Sequence, residues 1–440
     1  MKSLGWIQNL LAAFLVVLLA ACSEKELILP GERQSVLPQL AVVTIDDDAT
    51  EQGAELGDAV INNSFTHAGG NAGHSGGHLS LNQPLTISWQ AEIAGVPDET
   101  VDLAQPVISD DAVYALGSDG LLHAFALADG ALLWTSQLEE LIDEPLPGVA
   151  GGIAAGTDDV FAHASQYDLV ALSSKTGDVL WSVSHPERLK GGPTLIGDEG
   201  VLVSDINGQL YLYDAASGAR LWERIGLPTN TVVFGAPAPA FGENEVILAG
   251  AAGELSSYDP LSGDLLWADN LASFNPRTPL QELGDVRAHP VHDGKLVYVI
   301  SQSGRMVAFQ AGTGFAIWEQ PITSIELPWI AGRSVFVTGL DGRLYALRRN
   351  DGAARWITEL PGALPIGAVA SEEVPRYSAP FVASGKVYVI SNAGILFSFD
   401  ANTGLMEGEM AIGGPVTTAP AVAQEALIVV KSQGQLSVFR

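Results

Sequence analysis

The chain has 440 residues, one cysteine and a formal net charge of −30, from 21 Lys plus Arg against 51 Asp plus Glu. This balance argues against a nucleic-acid partner, which needs a basic face, and against docking on anionic lipid through a basic patch. Apolar residues make up 47% of the chain, which excludes global disorder. A single cysteine excludes an internal disulfide framework and any thiolate-ligated zinc site.

The chain opens with a positive residue, Lys2, and an apolar run from Leu10 to Ala21. Small residues lead to Cys22 in the order Leu19-Ala20-Ala21-Cys22, as a signal peptidase requires. The apolar run is short for a membrane span, which needs about 20 residues. Leu-Ala-Ala-Cys resembles the bacterial lipobox. That resemblance implies cleavage before Cys22, a diacylglycerol on its sulfur and acylation of the new amine. More than one acyl chain makes a stable anchor. Ser23 follows, where an Asp would resemble an inner-membrane retention signal, so delivery to the periplasmic face of the outer membrane is expected.

Three domains follow from this reading: a signal peptide over 1–21, a lipidated acidic tether over 22–61, and a folded body over 62–440. Ser23 to Ala59 holds nine acids and two bases, including Asp46-Asp47-Asp48, and is expected to be unstructured. The lead-in Ile61 to Ser80 carries His67, His74 and His78 among five glycines. Imidazoles four apart can converge on an ion, but no carboxylate or thiolate accompanies them, so a lead-in lying on the folded body is preferred and no metal is assigned.

From about residue 104 onward one phrase recurs: an apolar strand, a turn, a second strand, a Gly turn, then a strand with Trp. The first turn falls at Gly120, Tyr167, Gly208, Gly253, Gly304, Gly342, Gly394 and Gly434, eight copies in all. The second falls ten residues later at Gly130, Gly177, Gly218, Gly263, Gly314, Gly352 and Gly404. Asp-Gly, Asn-Gly and Ser-Gly pairs supply the positive φ of tight hairpins, and the segments between are β-branched and aromatic. Trp follows the second glycine by four residues at Trp134, Trp181, Trp222, Trp267, Trp318 and Trp356, and Gly408 takes that place in the seventh copy. The eighth copy has no Trp strand, while Leu85 to Gln90 carries a spare one with Trp89.

The prediction is an all-β, eight-bladed β-propeller of four-stranded antiparallel blades. The N-terminal Trp89 strand completes the C-terminal blade and closes the ring, which removes the open sheet edge. The seven Trp residues are blade-packing residues.

The Ala-Leu/Phe, Thr/Ser-Gly, Trp phrase resembles the pyrroloquinoline-quinone-like (PQQ-like) repeat over residues 62–440. A quinoprotein enzyme is the first alternative this raises. The adjacent cysteine pair of the alcohol-dehydrogenase group is impossible with one cysteine, and there is no C-x-x-C-H haem site. No P-loop, G-x-S-x-G or H-E-x-x-H motif is present. The expectation is a non-enzyme without a cofactor, with an envelope-glycan-binding propeller as the second alternative.

Lipobox, acidic tether and eight such copies together resemble the BamB family of lipoproteins in the outer-membrane β-barrel assembly (BAM) machinery. Leu280 to Val291 is similar to a segment that opens a blade in that family. The resemblance implies a non-catalytic scaffold whose partners are the BamA periplasmic domain, other BAM subunits and nascent outer-membrane proteins. It assigns partner contacts to Asp285, which matches a family acid, and to Arg287, which stands where a second acid is usual. A neighbouring loop maps to Val232, Val233 and Phe234, with Val232 in place of the family's Arg.

Overall fold

The computed structural model describes residues 42–95, 101–138, 148–149, 151–164, 166–225, 237–250, 253–271, 286–363, 375–416 and 418–440. They form eight four-stranded sheets, each an antiparallel meander, as the repeat predicts. Blade 1 consists of Val107–Ser109, Ala112–Leu116, Leu121–Ala126 and Leu132–Gln137. Blades 2 to 7 repeat this over 152–184, 189–224, 240–270, 291–320, 329–359 and 381–411. A short parallel pair, Val101–Asp102 with Gly148–Val149, lies outside the blades. The second strands are buried throughout, as in Ala112–Leu116, because neighbouring blades cover both of their faces.

Blade 8 takes Ala421–Ala423, Ala426–Val430 and Gln435–Phe439 from one part of the chain and Ile87–Glu92 from the other. Ile87 lies opposite Phe439, Trp89 opposite Val438 and Glu92 opposite Gln435. The predicted closure through the Trp89 strand is therefore the one found.

Trp and the turn glycine act as a pair across each blade interface. A Cβ on Gly130 would fall 2.5 Å from the Trp89 indole, and one on Gly218 would fall 2.7 Å from that of Trp181. Gly177, Gly263, Gly314, Gly352 and Gly404 meet Trp134, Trp222, Trp267, Trp318 and Trp356 in the same way. Except at Trp267, the indole N–H then donates to a carbonyl of the next blade, as Trp134 does to Ser174 at 2.9 Å and Trp356 to Ala401 at 2.9 Å. This explains Gly408. Blade 8 draws its outer strand from residues 87–92, so it has no third hairpin and no turn glycine against which a Trp of blade 7 could pack.

Gly312 and Gly218 allow a direct test. Both have positive φ, +74° and +69°, but a Cβ on Gly312 meets nothing within 4 Å. Gly312→Ala should cost about 1 kcal/mol, the backbone penalty alone. Gly218→Ala adds a collision with the Trp181 ring and should cost about 3 kcal/mol. Urea midpoints of the two variants that differ by less than 1 kcal/mol would contradict the pairing.

The tether differs from expectation. Residues 43–59 pack on the outer side of blades 6 and 7, and Asp47–Glu51 form a short helix. Asp46 is its N-cap, accepting from the Ala49 N–H at 2.7 Å, with Asp47 and Asp48 in the positive first turn. The acid run taken as a mark of disorder is thus a helix start. Ile45 pairs in parallel with Ala354, and Arg355, fully buried, donates to the Ala49 carbonyl at 2.9 Å.

Candidate functional site: a capped axial channel and a free loop face

In a four-stranded meander the first and third hairpins lie at one end of the blade. The second hairpin and the link to the next blade lie at the other. The ring therefore has a hairpin mouth and a loop mouth.

Residues 62–82 circle the hairpin mouth once and touch every blade in order. Asn62 accepts from the Gln424 N–H of blade 8 at 2.8 Å, and Phe65 exchanges two hydrogen bonds with Ile108 of blade 1. Thr66 accepts from Ala155 of blade 2, and the His67 imidazole from Leu195 of blade 3. Ala72 and Gly73 accept from Phe241 of blade 4 and His292 of blade 5, both at 2.8 Å. The Trp329 indole of blade 6 donates to Gly77, and Leu79 pairs with Val382 and Ser384 of blade 7. Asn82 then donates to Glu425, back in blade 8. The innermost strands have no neighbour across the axis, so the lead-in satisfies backbone groups that would otherwise be left open. Its glycines permit close approach: a Cβ on Gly76 would sit 2.2 Å from the Trp329 ring.

Beneath this cap lies an axial cavity of about 140 Å³, lined at one end by His67, His74 and His289 and at the other by Asp102, Arg287 and Glu326. The histidines are neutral. Burial pushes His67 down to about 3 and His289 down to about 4, and lowers His74 as well. Their ring nitrogens are committed. His67 Nε2 accepts from Leu195, and its Nδ1 lies 2.8 Å from the Thr66 hydroxyl. His289 Nδ1 accepts from Ala238 at 2.8 Å, and His74 Nδ1 donates to Pro290 at 2.8 Å. His74 Nε2 is fully buried without a partner among the described residues. His78, outside the channel, bonds Gly57 and Gly385. Among the described residues no three His, Asp, Glu or Cys side chains are arranged to hold a metal ion.

Arg287 is half-buried and lines the channel towards the loop mouth, with its Nε unpartnered among the described residues. Burial and Asp102 push the Glu326 carboxyl up to about 7, against the opposing pull of Arg287. His292 is buried beside Glu245 at 3.1 Å. Cys22, Asp285, Val232, Val233 and Phe234 lie outside the described residues. The links that contain the last four run from Ile225 to Pro237 and from Leu271 to Val286, on either side of blade 4. The described ends of both, Ile225 and Pro237, Leu271 and Val286, lie at the loop mouth.

These features define a closed eight-bladed propeller of PQQ-like repeats, with one mouth sealed by its own chain. Residues 118–358, more than half of the sequence, match the family described as outer membrane protein assembly factor BamB, and the chain belongs to that family. The BamB of Shewanella oneidensis is 26% identical over 362 residues, which cover 80% of this chain and 88% of that protein. The BamB of Escherichia coli is 22% identical over 276 residues, 62% of this chain and 70% of that one. The crystal structure of BamB from Moraxella catarrhalis superposes with a TM-score of 0.66 at 20% identity, covering 81% of this chain and 99% of that chain. The quinohemoprotein alcohol dehydrogenase from Comamonas testosteroni gives 0.66 at 14% identity, covering 89% and 84%. These structural likenesses concern the fold alone.

The dehydrogenase fold raises the question of a quinone in the channel. Small-molecule pockets run to about 300–1,000 Å³. Among the described residues the capped cavity, at about 140 Å³, is too small for such a cofactor.

Proposed function

We propose that the chain is a non-catalytic scaffold of outer-membrane protein assembly, anchored through Cys22 at the periplasmic face of the outer membrane and binding the BamA periplasmic domain. The observation that carries this reading is the lead-in, which occupies the hairpin mouth, so a partner is assigned to the opposite, loop mouth. The described ends of the two links that hold Asp285 and Val232 to Phe234 flank blade 4, so residues distant in sequence can meet one partner. The acidic surface suits a partner with a complementary positive patch, in which charge sets association rate and register.

Asp285→Lys should reduce co-purification of BamA from detergent-solubilised outer membranes at least tenfold, while the lipoprotein itself remains in the membrane fraction. Undiminished capture of BamA by this variant would remove Asp285 from the interface. Absence of BamA from the wild-type eluate, under conditions that retain other complex members, would remove the scaffold reading itself.

A further inference from the structure

The outer strand of every blade breaks register at one place, the residue before the Trp position. The slip lies between Ala124 and Phe125 opposite blade 1's outer strand, between Ala171 and Leu172 in blade 2, and between Ser257 and Tyr258 in blade 4. It recurs in the remaining blades. A bulge on an edge strand twists that edge and blocks the addition of a long strand. It leaves room for a short one.

Blade 6 shows a short occupant in place. Ile45 pairs in parallel with Ala354, the Asp46 N–H donates to the Ala354 carbonyl at 2.9 Å, and the Thr50 hydroxyl donates to that of Arg355 at 2.6 Å. Arg355 is the bulge residue. The occupant is acidic and the blade beneath it is basic: Arg333 pairs with Glu55 at 3.1 Å, and Asp46 and Asp48 act on Arg348. Complementary charge thus accompanies the strand contact.

The same positions in other blades are apolar and open. Leu132 and Leu133 are 58% and 52% exposed, Val179 and Leu180 are each 51% exposed, and Leu265 and Leu266 are 58% and 46% exposed. Acids flank them: Asp129 in blade 1, Asp178 in blade 2, Asp259, Asp264 and Asp269 in blade 4. We infer that the bulged rims of blades 1, 2 and 4 are acceptor sites for a short extended apolar segment with basic flanks, supplied by another polypeptide. The apolar pair anchors alternate side chains, the strand edge supplies main-chain hydrogen bonds, and the acids select the flanks. A second copy of this chain, at −30 net charge, is the wrong occupant. This surface is separate from the loop mouth and goes beyond the scaffold reading.

The probe is a labelled eleven-residue peptide of alternating valine and threonine between paired lysines, titrated into the full-length protein in detergent by fluorescence anisotropy. Saturable binding is expected, with a stoichiometry that drops by one site with each of Leu133→Asp, Leu180→Asp and Leu266→Asp. Leu→Ser at the same positions, milder for folding, should weaken each site at least fivefold. A glutamate-flanked peptide should bind at least tenfold more weakly. Unchanged stoichiometry in the triple variant, or equal affinity for both peptides, overturns the inference. So does loss of phosphatidylcholine vesicle binding on the same substitutions without loss of peptide binding, which would assign the rim to lipid.

Discussion

Replacing Glu245 with alanine should destabilise the propeller by about 3–5 kcal/mol, because it leaves several buried donors without their acceptor. This carboxylate begins the second strand of blade 4 and is 2% exposed. It accepts from four donors: Ser257 Oγ at 2.6 Å, Trp267 Nε1 at 2.9 Å, Gly312 N at 2.8 Å and His292 Nε2 at 3.1 Å. Burial alone would raise its pKa, but these hydrogen bonds outweigh it and hold the group below the usual carboxylate range. Two of the donors belong to blade 5, so the carboxylate ties two blades together. Trp267 is the one interface Trp among the described residues whose N–H goes to this side chain rather than to a carbonyl of the next blade. Glu245→Gln keeps acceptor capacity on one oxygen and should cost about half as much. Denaturant midpoints measure both. An alanine variant within 1 kcal/mol of wild type would show that the four donors find other partners.

Stability should also fall by roughly 4 kcal/mol between pH 8 and pH 5, from two buried histidines alone. Burial holds His67 down to about 3 and His163 down to about 4, against 6.5 in the unfolded chain. A folded pKa below the unfolded one means that the unfolded chain binds the extra proton as pH falls through 6.5. Stability is therefore full above that value and is lost towards 4. At pH 5, 1.5 units below 6.5, each group costs about 2 kcal/mol. His74 and His289 act in the same direction. Glu326 acts in the opposite one, since its carboxyl is raised to about 7 and its proton is held more tightly in the folded state. Glu245 adds to the acid loss only near and below pH 4, because its pKa is depressed. His67→Gln keeps an acceptor for the Leu195 N–H and should flatten the profile by its share. Melting temperatures from pH 8 to pH 5 provide the measurement, and a flat profile would mean that these imidazoles gain protons in place.

The blade repeat and the ring closure were legible because spacing carries them. Ten residues between turns and four to Trp record a hairpin and a cross-blade contact that occur once per blade. Features that occur once were not legible. Glu245 stands in Glu-Val-Ile-Leu-Ala, where nothing local marks it as the centre of four hydrogen bonds. Trp329 lies outside the Trp phrase, and its role in pinning Gly76 and Gly77 depends on contact across about 250 residues. The Asp46 to Asp48 run had a local signal, acids at a helix start, but the face that stabilises so short a helix is Ala354 and Arg355. The lead-in histidines suggested convergence by their spacing. Once folded, one nitrogen of each is spent on a backbone group, of Leu195, Pro290 and Gly385 in turn, and the three do not converge.

Closure through Ile87–Glu92 has a consequence for biogenesis. This strand is among the first parts of the blades to be synthesised, and its partner Gln435–Phe439 is among the last. Closing a loop of that length costs about 5 kcal/mol of chain entropy, so the pairing comes late and only when seven other blades hold the ends near each other. A partly synthesised chain cannot make it and keeps two open strand edges within reach of proteases. The ring thereby serves as its own test of complete delivery: the last sheet to zip certifies that every blade has arrived.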